Sequence, residues 1–180
     1  MKPLGLISVI ALIISLIYAQ LKWGPDYSKT FSRLVAQKRS SVIYYFIVFS
    51  IFLTAFSIFM TTSFIPQFTL TGLFTWVYFL GVASQLICVI IPETGGYKTK
   101  IHLAAAGIMS SSVLLQMVLL ATLAHLSLLS IITYTISLLI MISIWLIIMF
   151  KHDLMRYELG LQSIYFICYL GTLVFVNYTA

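Results

Sequence analysis

The residues able to do charge-based chemistry in this chain are few: Asp26, Glu93, Asp153 and Glu158, with His102, His125 and His152. The stretch IIPETGGYKTKIH, from Ile90 to His102, gathers an acid, two lysines and a histidine beside a proline and a glycine pair. Pro92 would close one helix, Gly95-Gly96 would reverse the chain, and Thr99 would cap the next helix. A connection this short makes the two helices antiparallel neighbours, so the Glu93 carboxylate and the His102 imidazole could meet. Glu158 opens the last apolar segment, and Gln162, Tyr165 and Tyr169 follow at i+4, i+7 and i+11 as one polar stripe. Glu93, His102 and Glu158, with Asp26, would form a polar pocket just under a headgroup plane. Lys98 or Lys100 would contact a phosphate there, and the stripe would guide a chain inward. Ordinary interfacial salt bridges and caps would use the same residues, because charged side chains favour that depth whatever their role.

Other chemistries find less to work with. His102 and His152 with two carboxylates could bind a metal chemically, but no H-x-x-x-H or H-E-x-x-H spacing fixes the geometry. His125 sits in a turn at the other end of a helix from His102, and haem b would need facing histidines at matched depth. No metal and no cofactor are therefore expected. Serines are plentiful, yet there is no G-x-S-x-G elbow and none is placed beside a histidine. Cys88 and Cys168 lie in apolar runs without C-x-x-C spacing, as buried thiols that pack like small hydrophobes do.

The elements that must position these groups follow from composition. A chain of 180 residues that is 62% hydrophobic and 8% charged cannot cover a water-facing surface, since a soluble domain carries about a quarter charged residues. An all-α membrane bundle is expected instead, because only helices or closed barrels satisfy the backbone in hydrocarbon. Six stretches reach the roughly 20 apolar residues a span needs: 3–20, 41–63, 69–91, 101–123, 128–150 and 157–178. Ile101 to Phe150 carries no charge and is too long for one crossing, so it must fold back, most simply at Ala124-His125-Leu126-Ser127. Met1 to Ala19 is read as a retained span, because cleavage after a poorly placed Ile17 would leave its following cations outside.

The first, third and fifth loops carry Lys22, Lys29, Arg33, Lys38, Arg39, Lys98, Lys100, Lys151 and Arg156, and the opposite side carries Lys2. By the positive-inside rule those loops are cytoplasmic, both termini are extracytoplasmic, and the membrane is the plasma (inner) membrane. The net charge of +6 is thus a topology signal, and no nucleic-acid partner is implied. Residues 25–39 pattern as a short amphipathic helix on the inner leaflet, with Tyr27, Phe31, Leu34 and Val35 on one face and Lys29, Arg33 and Gln37 opposite.

No charge lies near the middle of any span, which argues against an ion-coupled transporter. Gln85, Gln116, Gln162 and Ser110-Ser111-Ser112 are read as interhelical hydrogen-bond glue. Ala104, Gly107 and Ser111, with Gly81 on the preceding span, are small residues that would let another backbone approach closely. The triplet Asn177-Tyr178-Thr179 matches a glycosylation acceptor but lies too near the bilayer to act as one.

Three stretches together carry a resemblance: DYSKTFSRL after the first span, VIIPETGGYKTKIHLAAAG across the third and fourth, and RYELGLQSIYF opening the last. They resemble a six-span bacterial and archaeal membrane family of unknown function. That family is related to the damage-regulated autophagy modulators (DRAM) and the GPI-anchor lipid-remodelling FRAG-type proteins. Its tyrosine-serine segment falls on Tyr27 and Ser28, its Pro-acid pair on Pro92 and Glu93, its His-x-x-Ala-Ala element on His102, Ala105 and Ala106, and its last acid on Glu158. Where the family usually has Ser-Asp-Leu-Gly this chain has Phe31-Ser32-Arg33-Leu34, losing an acid and gaining a cation. The resemblance implies lipid handling. The leading expectation is a protein that binds or organises membrane lipid. A small intramembrane lipid-modifying hydrolase, and a structural subunit that pairs with itself or with a membrane partner through its small-residue face, are the alternatives.

Overall fold

A computed structural model describes residues 2–24, 29–70, 72–150 and 157–179. Its elements are α1 (Lys2–Trp23), α2 (Phe31–Val35), α3 (Arg39–Phe59), a π-helical turn (Met60–Phe64), α4 (Ile65–Gln67), α5 (Gly72–Ile90), α6 (Gly96–Leu123), α7 (Leu128–Phe150) and α8 (Glu158–Thr179). There is no strand among the described residues. Six of these helical stretches, the second running continuously over Arg39–Gln67, are long and apolar enough to cross a membrane. The protein is built as an all-α, multi-pass membrane protein. Hydrocarbon offers the backbone no hydrogen bonds, so each apolar stretch closes its own i to i−4 ladder. The uncharged run breaks between Leu123 and Leu128, at the four residues expected to turn.

The spans form a ring in the order α1, α3, α5, α6, α7, α8 and back to α1. Three hairpins, α1–α3, α5–α6 and α7–α8, pack along much of their length, whereas the seams α3–α5, α6–α7 and α8–α1 are sparser. Both termini lie at one end of the ring, here the terminal end. The loops rich in Lys and Arg lie at the other, here the basic end.

At the terminal end the packing is aromatic and tight. Rings of Phe56 and Phe59 sit 5.4 Å apart, Phe59 and Phe64 6.0 Å, and Phe64 and Phe68 5.0 Å. Gly5 of α1 lies against this stack: a methyl there would come within 2.8 Å of the fully buried Phe59 ring, so only glycine fits. The widened turn at Met60–Phe64 has a local cause. Thr61 and Thr62 donate hydroxyl hydrogen bonds back to the carbonyls of Ser57 (2.8 Å) and Ile58 (2.6 Å), and Pro66 withholds the N–H that the turn before it would have used. Asn177 is fully buried, and its amide has no hydrogen-bond partner among the described residues, so the glycosylation triplet is not presented on the surface.

Three local expectations change. The stretch expected to be one helix over 25–39 is helical among the described residues at Phe31–Val35, with Arg39 already opening α3, and its Phe31, Leu34 and Val35 are buried within the bundle. Thr99 is not the cap of α6: the helix begins at Gly96, after Gly95 with φ +102°, and Thr99 reaches back one turn to accept the Gly95 N–H at 2.8 Å. Of the small residues, Gly81 is in close contact, since a methyl there would lie 3.4 Å from Gln116 and Ser112. Gly107 has nothing within 4 Å of that position, and with Ala104 and Ser111 it is exposed on the outside of α6.

Candidate functional site at the basic end

The site is built from the first and third loops outward. Thr30 caps α2: its Oγ1 accepts the Arg33 N–H at 3.0 Å, satisfying one of the helix's unpaired donors. The same hydroxyl donates to Glu93 Oε2 at 3.0 Å. Arg33 then donates to Glu93 Oε1 from Nε (2.7 Å) and Nη2 (2.5 Å), and the Glu93 N–H donates to Ser32 Oγ at 3.0 Å. The Glu93 side chain is 1% exposed and that of Arg33 is 48%, so the carboxylate is sealed in while the guanidinium keeps one side in solvent. A carboxylate removed from water needs this many donors to remain charged at tolerable cost. At the far end of α2 Ser41 closes the turn, donating to the carbonyls of Val35 and Lys38. α2 is thereby clipped across the basic end.

Beneath α2 lies a cavity of about 500 Å³, within the size range of small-molecule sites. Its upper wall holds Thr30, Ser32, His102, Glu158 and Gln162, and its depth is lined by rings, among them Phe49, Phe52, Phe56 and Tyr78. It occupies the middle of the ring, between α6 and α8. These two helices meet through tyrosines spanning the gap: Tyr165 Oη donates to Ser110 O at 2.8 Å and Tyr169 Oη to Gln116 Oε1 at 2.5 Å. Leu103, Gly107 and Ser111 line the cavity and are also exposed on the protein's exterior, so it opens sideways beside α6. The adjoining α6–α7 seam is tied at its terminal half by Tyr134 Oη to Met117 O (2.7 Å). Its basic half presents Trp145 and Ile148 to the cavity.

Each expected site residue can now be placed. Glu93 and His102 are both buried at this end but do not bond one another. His102 Nδ1 lies 2.8 Å from the carbonyl of Ile91, which can only accept, so Nδ1 carries a proton and Nε2 is the remaining polar atom. Glu158 is buried, lines the cavity, and stands in the fields of Arg33 and Glu93; no described residue is hydrogen-bonded to its carboxylate. Gln162 Oε1 accepts the Phe31 N–H at 3.3 Å, tying α8 to α2. Lys98 and Lys100 are exposed and are not part of the cavity wall. Asp26 lies outside the described residues.

Thr30, Ser32 and Arg33 are the members that reading the sequence missed. Their signal was local and weak: a threonine immediately before FSRLV, with the arginine at the third helical position. Among the described residues no three of His, Cys, Asp and Glu come together as a metal-binding group. Comparison of the chain with protein-family models, with curated proteins and with solved structures finds no match in any of the three.

Proposed function

We propose that this protein binds a membrane lipid in the central cavity, head at the basic end and chain among the phenylalanines. The observation that carries the reading is one cavity combining a polar rim, a deep aromatic wall and a side opening beside α6. A water-soluble ligand has no use for the lateral opening, and a purely structural bundle gains nothing from the void, whose lining loses packing contacts. The resemblance of VIIPETGGYKTKIHLAAAG to lipid-handling membrane proteins points the same way. Binding is favoured over hydrolysis, since no serine hydroxyl among the described residues is hydrogen-bonded to His102. The basic end, with Lys22, Lys38, Arg39, Lys98 and Lys100, faces the cytoplasm of a plasma (inner) membrane on this reading.

Native mass spectrometry of protein released in a non-ionic detergent tests it. Wild type should retain a lipid-sized mass, and Ala106→Phe, which fills the cavity from α6, should lose it while keeping its helical circular dichroism and melting transition. Wild type that carries no such mass, even after lipid is added back, would overturn the reading.

A second reading rests on the exposed Ala104, Gly107 and Ser111, which offer a flat face to a second copy or another membrane protein. Gly107→Leu should then dissociate the assembly in a detergent-solubilised sample; an assembly that ignores the change counts against it.

A further inference from the structure

We infer that the ligand of the central cavity carries a cationic amine at its head, held by the Glu158 carboxylate. This rests on the lipid-binding reading and adds the chemical class of the head. The argument is an account of what each polar group at the rim has left to offer. Glu93 is spent on Arg33 and Thr30, and Arg33 on Glu93, so that pair is neutral and closed. Ser32 Oγ already accepts from Glu93, and Gln162 Oε1 from Phe31. Among the described residues that line the cavity, the one charged side chain left without a partner is an acceptor. Glu158 brings a whole carboxylate, 7% exposed and without a hydrogen-bond partner among the described residues, and His102 brings Nε2 opposite its proton-bearing Nδ1. Against these stand the Gln162 amide N–H₂ and the Ser32 hydroxyl at the rim, with Tyr45, Gln85, Ser111 and Trp145 as further donors along the wall, none of which carries a charge.

Among the described residues that line or seal the rim, the formal charges of Arg33, Glu93 and Glu158 sum to one negative charge. A phosphate or carboxylate head would meet that charge with neutral donors alone among the described lining residues, and Lys98 and Lys100, the cations expected to receive it, are outside the cavity wall. An ammonium inverts the balance: its N–H groups find Glu158 and His102, and its charge neutralises a buried carboxylate that is costly to leave alone. Phe31 and Phe166 also line the cavity and add ring faces that suit a cation.

The test compares hexadecylamine, hexadecan-1-ol and hexadecyl phosphate, three probes of one chain length, added to wild type, Glu158→Gln and Glu158→Asp in a non-ionic detergent at neutral pH. Bound fractions are read by native mass spectrometry. Wild type should prefer the amine over the alcohol by about tenfold, the size of one charge-assisted hydrogen bond, and should bind the phosphate least. Glu158→Gln should lose the preference for the amine over the alcohol, and Glu158→Asp should keep it. A wild type that binds the alcohol and favours the amine no more than the phosphate would overturn the cationic head while leaving chain binding intact. A wild type that binds none of the three would overturn both.

Discussion

At the terminal end of the bundle Phe59 has no exposed surface, and Gly5 leaves no room for a methyl group against its ring; at the basic end a cavity of about 500 Å³ holds α6 and α8 apart. The first region is packed as protein interiors are, with aromatic rings in contact and one glycine at a close approach. The second keeps two features that cost stability, an unfilled volume and a buried carboxylate without a hydrogen-bond partner among the described residues. Both occur together, beside one clipped helix and one lateral opening. The terminal end has one such feature of its own, the buried Asn177 amide, but no cavity beside it among the described residues, and the contrast in volume is what our proposal of binding at the basic end rests on.

Breaking the clip should have the largest effect. Arg33→Ala leaves the Glu93 carboxylate sealed in with only a hydroxyl donor, at a cost of about 3 kcal/mol, the low end for an unpaired buried charge because Arg33 itself is half in solvent. Melting temperature should fall, and limited proteolysis should cut sooner within residues 24–38. At the opposite end Gly5→Ala should cost about 2 kcal/mol by overpacking against Phe59, yet leave ligand retention in native mass spectra unchanged. A Gly5→Ala protein that keeps its stability but loses ligand would erase the distinction between the two ends.

Glu158→Gln sharpens the same contrast with the opposite sign. Removing a buried charge that has no hydrogen-bond partner among the described residues should raise the stability of the ligand-free protein by about 1 kcal/mol, seen as a higher unfolding midpoint after delipidation. The smallest effect is expected from Lys98→Ala with Lys100→Ala. Both side chains are exposed away from the cavity, so stability should stay within about 0.5 kcal/mol and ligand retention should not change.

How much of this was legible in the sequence differs between the two ends. The turn at 124–127 could be read because an uncharged run of such length has to fold back. Glu93, His102, Glu158 and Gln162 could be assigned to one end because each sits where an apolar segment borders a loop rich in Lys and Arg. Arg33 could not be paired with Glu93, since the two are 60 residues apart and the helical pattern of FSRLV points the arginine at solvent. Lys98 lies one turn before His102 in α6, so spacing alone placed it beside the pocket, whereas its side chain is exposed and outside the cavity wall. Gly5 gave no warning either. Its necessity depends on where the Phe59 ring falls, a fact of packing between α1 and α3 with no periodic trace.

The most direct test of the central claim is photo-crosslinking with a lipid that carries a diazirine near the end of its chain, followed by mapping of the labelled residues. Labels on Phe49, Phe56 or Tyr169 inside the ring, displaced by excess unlabelled lipid and absent in Ala106→Phe, are the predicted result. Labels confined to the outer surface, on residues such as Trp76 and Leu73, would contradict it and return the cavity to a packing defect.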